Sequence, residues 1–269
     1  MRLTIEHKTR YRYAEPATSS VQCLRLTPPS FVGQKVIDWR ITSDPGAPLR
    51  DGQDGFGNQL HLLVVRNRHQ EIEVTAAGTI ETGDRAGVVL GLPDTVPHRV
   101  YLRRTDLTAA TPEIMALADA TPKSEFIPRL HCLMDAIRDH VDYLPGVTKA
   151  ETTAGEAFDA GRGVCQDHAH IFVAAARHLG LPARYVTGYL LTGSQSHDVA
   201  HHAWAETFVD GLGWLGFDVA NRVCPTDHYV RLAAGLDAHH VAPIRGSRRG
   251  GAGEKLSVEV NVAAAAAQQ

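Results

Sequence analysis

The chain has 269 residues, 43% of them hydrophobic, and a formal net charge of −3, so it holds enough apolar material for one large core or two ordinary ones. Basic and acidic residues are interspersed, which leaves no electrostatic footprint for nucleic acid or an anionic membrane. The N-terminus carries charges where a secretory signal needs its apolar stretch, no run approaches bilayer-spanning length, and Cys23, Cys132, Cys165 and Cys224 form no CxxC pair; together these predict a cytoplasmic protein with reduced thiols, neither a disulfide framework nor a zinc ribbon.

From Leu3 to about Thr82, segments rich in Thr, Val, Ile and Tyr alternate with turn clusters such as Ser43-Asp44-Pro45-Gly46 and Asp54-Gly55-Phe56-Gly57-Asn58. They predict an antiparallel β region over 1–85, with Gln59 to Arg66 and Glu71 to Thr82 as consecutive strands. Pro93 and Pro97 fall in a weakly patterned stretch, 86–110, expected to be a linker. The core is expected over 111–262. Thr111-Pro112-Glu113 supplies an N-cap and a proline at N1 for a helix to about Ala120, and Phe126 to His140 carries Leu130, Leu133, Met134 and Ile137 at helical spacing.

A third helix is predicted from about Val164 to Leu179, with Ala169, Phe172, Val173 and Ala176 on one face and Gly180 and Pro182 as the stop. Arg184 to Leu191 reads as a strand, and His202 to Val209 with Trp214 to Val219 as a hairpin around Asp210-Gly211-Leu212-Gly213. Beyond Asn221 the pattern fades until Leu256 to Val262, where apolar residues on even positions predict a terminal strand of the core. The closing 263–269 is a low-complexity tail. The fold class is α+β: an N-terminal antiparallel β region, then helices followed by strands.

Gly161-Arg162-Gly163-Val164-Cys165-Gln166-Asp167-His168 places a cysteine where a glycine-rich loop enters a helix. Unpaired N–H groups and the positive end of the helix dipole favour thiolate there, and such sites lower a cysteine pKa from about 8.5 toward roughly 4 to 7. A thiolate nucleophile needs an imidazole partner, itself oriented by an acceptor on its other nitrogen. His202 opens one hairpin strand and Asp218 closes the other, so Cys165, His202 and Asp218 are the expected catalytic triad. Parity constrains the turn, because side chains alternate with a period of two. A four-residue loop over 210–213 leaves His202 and Asp218 on opposite faces. A three-residue loop sets Val209 opposite Gly213 and Trp204 opposite Asp218, with His202 a diagonal neighbour about 7 Å away. Gln166 and Trp204 are candidate substrate contacts.

Other readings compete for several of these residues. Cys23, Cys132 and Cys224 lack comparable contexts and read as structural thiols. The histidines include His168, His170, His197, His201, His239 and His240, but no HExxH or CxxC spacing appears, so no metal or other cofactor is expected. No EF-hand-like loop suggests calcium. Asp167, in the first turn of its helix, suits a catalytic acid but is equally explained by capping and dipole stabilisation, the favoured role. Trp204 and Trp214 equally suit a core. Arg245, Arg248 and Arg249 suit a solvated loop, or one that guides an acidic substrate.

The segments GRGVCQDHAH and HHAWAETFVDGLGWLGFD, in the order Cys, His, Asp, resemble the bacterial branch of the transglutaminase-like superfamily. The stretch from Leu179 to Tyr189 is similar to the same branch, and the opening of the chain, including Asp54, Gly57 and Asn58, to the bacterial transglutaminase N-terminal region. The resemblance covers most of the chain. It implies a papain-like core, a nucleophile helix packed on an antiparallel sheet, with Cys165, His202 and Asp218 as catalytic residues, and attack on a carboxamide or (iso)peptide bond through a thioester resolved by water or an amine. Peptide or protein is the implied substrate. His168 departs from the branch, which commonly has an aromatic there, and Asp218-Val219-Ala220-Asn221 replaces the usual Asp-Pro form; both departures bear on the pocket. The alternative is a non-catalytic peptide-binding module on the same fold.

Overall fold

The computed structural model describes residues 1–123, 125–192 and 201–265. The first strand, β1 (Arg2–Leu24), runs 23 residues because Leu3, Ile5, His7 and Thr9 alternate inward from the start. It is followed by β2 (Gln34–Asp44), β3 (Leu49–Gln53), β4 (Gln59–Val65) and β5 (His69–Thr82). The first half of β1 pairs antiparallel with β5 and its end with β4, across a register shift between Arg12 and Ala17. Pro16, which has no N–H to give, lies in that break. The antiparallel β region expected at the N-terminus is therefore present, built around one long strand.

The stretch expected to be a linker packs against the core instead. Its β6 (Val88–Val89) pairs with Trp214 and Leu215, and two short 3₁₀ turns, His98–Leu102 and Asp106–Thr108, bury Tyr101 and Leu107. Prolines interrupt its periodicity without preventing burial. The helical layer follows as α1 (Pro112–Ala120), α2 (Phe126–His140), β7 (Asp142–Tyr143), α3 (Ala154–Ala160), β8 (Arg162–Gly163) and α4 (Cys165–His178). The bounds of α1 and α2 coincide with the sequence reading. The Thr111 hydroxyl caps Ile114 N, and a proline stands at N1. Helix α3 was not expected: seven residues are too few for a period, and its Thr153/Glu156 capping box is its only sequence signal.

The remaining strands are β9 (Ala183–Leu190), β10 (His201–Val209), β11 (Gly213–Phe217), β12 (Tyr229–Gly235), β13 (Ile244–Gly250) and β14 (Glu254–Ala264). The core sheet runs β12-β9-β10-β11-β6. Every residue of β12 is buried, so it shows no alternation and left no trace in the sequence pattern. Helix α4 is the centrepiece. Its Ile171, Phe172 and Val173 pack with Leu130, Leu133, Met134 and Ile137 of α2 and with Ala205, Leu215 and Phe217 of the sheet.

The terminal strand corrects an expectation. Strands β13 and β14 both pair with β1, so the chain leaves the core and closes the N-terminal sheet. Alternation identifies a strand but not its neighbour. Ala263 and Ala264, expected in the tail, belong to β14, and 266–269 lie outside the described residues. The two sheets are joined through Leu3, Ile5 and Ile80 packing with Tyr189, Val230 and Leu232. Asn58 adds a clamp: its amide accepts from Ala234 N at 2.9 Å and donates to Ala234 O at 2.8 Å. No helix among the described residues is long and apolar enough to cross a membrane.

Candidate active site

Cys165 is the first residue of α4 and is half-buried. The turn before it is held by Asp167, whose Oδ2 accepts from Val164 N at 2.7 Å and from the Thr148 hydroxyl at 2.7 Å. The capping role expected of Asp167 matches this geometry, although burial pushes its carboxyl pKa up against those two bonds. Gly163 makes the arrangement possible: a Cβ there would stand 2.7 Å from Asp167 Cβ and 2.8 Å from Oδ2. The folded-back carboxylate leaves the N–H of Cys165 in the unpaired first turn of the helix.

In the hairpin, Val209 faces Gly213 and Ala205 faces Phe217. This is a three-residue loop, one of the odd-length or bulged turns that parity allows, and Gly211 at φ 79° and Gly213 at φ 96° supply the left-handed backbone it needs. One step beyond the last paired residues, Trp204 stands opposite Asp218, and His202 shares their face. His202 Nε2 and Asp218 Oδ2 are 2.7 Å apart, both groups buried. Cys165 is close enough to His202 to favour its charged form, and with Nε2 committed to Asp218 the nitrogen left for sulfur is Nδ1. Burial opposes the charged imidazole, but the bond to Asp218 and the interaction with Cys165 outweigh it and raise its pKa from 6.5 to about 10.

Asp218 is held by more than histidine. Its Oδ2 also accepts from the Tyr229 hydroxyl at 2.7 Å and from Asn221 Nδ2 at 2.7 Å. Burial would raise its pKa, yet the bonds from His202, Tyr229 and Asn221 bring it below the ordinary carboxylate value. Tyr229 was missed from sequence because it sits in the unreadable β12. Asn221 was legible only as a departure from the Asp-Pro form. It stands three residues after Asp218, and its backbone N–H also reaches Asp218 Oδ1, at 3.3 Å, a local turn bond open to any Asp followed by a free N–H.

Several expected contacts fall elsewhere. Trp204 is 2% exposed, packed edge-on against Tyr229 at 5.6 Å and over Gly188, where a Cβ would come within 2.6 Å of the indole. It backs the His202–Asp218 pair and, with Glu206, Tyr229 and Arg231, lines a surface pocket beside it. Gln166 Nε2 donates to Ala150 O at 3.1 Å and ties down the segment beside the thiol. His168 is fully buried, its ring nitrogens 2.8 Å from Val164 O and 2.9 Å from Val141 O. The departure at 168 thus joins α4 to the end of α2 and leaves the pocket unlined by it. His201 turns the other way, as parity demands. It meets the Thr187 hydroxyl at 2.8 Å, and burial, with the neighbouring His202, lowers its pKa to about 4.

His170 accepts from Ala238 N at 3.1 Å and is pushed by burial to about 3. That bond fixes the segment whose Ala238 and Val241 pack with Ala169, Tyr185 and Ala203 around Cys165. No group of three metal-ligating side chains occurs among the described residues. His197 and positions 193–200 of the loop expected to set specificity lie outside them.

Comparison with known proteins gives a consistent picture. Residues 3–81 match the bacterial transglutaminase-like N-terminal region, and residues 115–219 match the transglutaminase-like superfamily. An uncharacterised protein of Mycobacterium leprae is 30% identical over 276 residues, covering 97% of this chain and 98% of its own. A protein-glutamine gamma-glutamyltransferase of Pseudomonas aeruginosa is 31% identical over 100 residues, 35% of this chain and 14% of that protein. Among solved structures, a protein of Cytophaga hutchinsonii, for which a cysteine protease identity has been suggested, superposes with a TM-score of 0.78 at 21% identity over 100% of this chain and 92% of its own. That likeness shows the fold.

Proposed function

Because the chain belongs to the transglutaminase-like superfamily, we propose that it is a thiol enzyme acting on a carboxamide or (iso)peptide bond through Cys165, His202 and Asp218. The observation that carries this reading is the buried His202–Asp218 pair, 2.7 Å apart, whose imidazole is also influenced by Cys165 at the start of α4. Asp218, itself held by Tyr229 and Asn221, fixes the ring and keeps it protonated. Sulfur attacks the carbonyl carbon, and the charge that develops on oxygen meets the N–H of Cys165 at the helix start. The C–N bond then breaks as His202 Nδ1 passes its proton to the leaving nitrogen, giving a thioester and a free amine or ammonia. The neutral imidazole next takes a proton from water or an incoming amine, which attacks the thioester. Sulfur leaves as the acid or the new amide forms, and the imidazolium is regenerated.

Thiol, imidazole and carboxylate supply every proton and bond change in these steps. Peptide or protein is the substrate proposed, on the strength of the superfamily membership. A cavity of about 590 Å³ lined by Arg103, Arg104, Glu151, Asp237, His239 and Arg245 borders the segment that packs on Cys165. The test is to trap the acyl intermediate. After reaction with an activated acyl ester and an acid quench, intact mass should show one acyl group, mapped to Cys165 and released by hydroxylamine. Absence of acylation at Cys165 with a folded protein would leave the peptide-binding reading in its place.

A further inference from the structure

Strand β14 forms an outer margin of the N-terminal sheet. One side pairs with Leu3–Tyr13 of β1, whose other side is taken by β5, and among the described residues no strand pairs the outer side of β14. The register sets Leu256, Val258, Val260 and Val262 opposite Tyr11, Thr9, His7 and Ile5, on the face turned toward the core. Yet Leu256 is 56% and Val258 is 48% exposed. An unpaired 11-residue edge carrying two bare aliphatic side chains is a template for another strand.

We propose that this edge pairs antiparallel with β14 of a second copy of the chain, about a twofold axis passing through Ser257. Charge selects that register. With the axis there, Leu256 faces the partner's Val258 on one side of the ribbon and Lys255 faces the partner's Glu259 on the other, and symmetry makes each pair twice. An axis at Glu259 gives a longer ladder but sets Glu259 against the partner's Glu259. An axis at Val258 forms no charge pair. Within its own chain the cross-strand neighbour of Lys255 is Arg12, not a carboxylate, so the partner's Glu259 supplies what Lys255 lacks.

The test is sedimentation of the full chain over a concentration series, with two charge variants. Lys255→Glu leaves only carboxylates at the two facing positions, and Glu259→Lys leaves only ammonium groups, so each variant repels itself. Each alone should dimerise at least about tenfold more weakly than the wild type. An equimolar mixture should recover a heterodimer to within about threefold of wild-type affinity, because the two patterns complement each other. Both side chains are exposed, and unchanged thermal midpoints will separate an association effect from damage to the fold. A wild type that stays monomeric, assembly beyond a dimer, a variant that associates like the wild type, or a mixture that fails to associate would each overturn the proposal.

Discussion

Asp218→Asn keeps the size of the side chain but removes the charge that holds His202 protonated. The bond it weakens, 2.7 Å from His202 Nε2 to a buried carboxylate, is charge-assisted, and such bonds contribute about 1.5–3 kcal/mol. That energy corresponds to roughly one to two pH units in the imidazole pKa, and to about a 10- to 200-fold change in any rate that depends on the imidazolium. Burial still disfavours the charge, so the His202 pKa should fall from about 10 by roughly those one to two units, toward its ordinary value, and the thiolate–imidazolium pair should weaken by the same energy. The assay is alkylation of Cys165 by iodoacetamide, mapped by mass spectrometry across pH. At pH near 6 the variant should react about 10- to 200-fold more slowly than the wild type, and the two should converge in alkali, where thiolate forms without help. A rate within about threefold of wild type at the acid end would refute the reasoning.

The same groups set a pH window for stability. His202 is raised above its ordinary 6.5, so its contribution is complete below that value and is lost as the pH climbs toward about 10. Asp218 is depressed, so its contribution is complete above its ordinary value of 3.8 and is lost on acidification.

Tyr229→Phe removes one of the donors on Asp218 Oδ2 and should cost about 1.5–3 kcal/mol in urea unfolding near neutral pH. The penalty should shrink in acid as the carboxyl protonates; a penalty that grows there would contradict the assigned bond. Gly163→Ala forces a Cβ against Asp167 and should cost about 1–3 kcal/mol, with slower Cys165 alkylation as the turn before the thiol shifts. Unchanged stability and reactivity would show that the turn yields at no cost.

Much of the site was legible because its constraints are local. A capped helix start placed Cys165, and strand parity demanded an odd-length loop or a bulge to bring His202 to Asp218, which a three-residue turn satisfies. The bounds of α1 and α2 followed from a threonine cap, a proline and a clear period. What stayed hidden depends on neighbours. Tyr229 lies in a strand buried on both faces, which carries no alternation, and the partner of β14 is chosen by packing that no local pattern encodes. Trp204 shares the face of His202 but is enclosed by β9 and β12, so position along the strand could not tell cleft from core. The departure at His168 proved to be an internal joint between two helices.

The central claim is that Cys165 is a nucleophile paired with His202. Native protein treated with less than one equivalent of iodoacetamide at pH near 6 should be modified first at Cys165, ahead of Cys23, Cys132 and Cys224, and His202→Ala should abolish that preference. Even labelling of the four thiols, or a preference for Cys165 that survives the loss of His202, would contradict it.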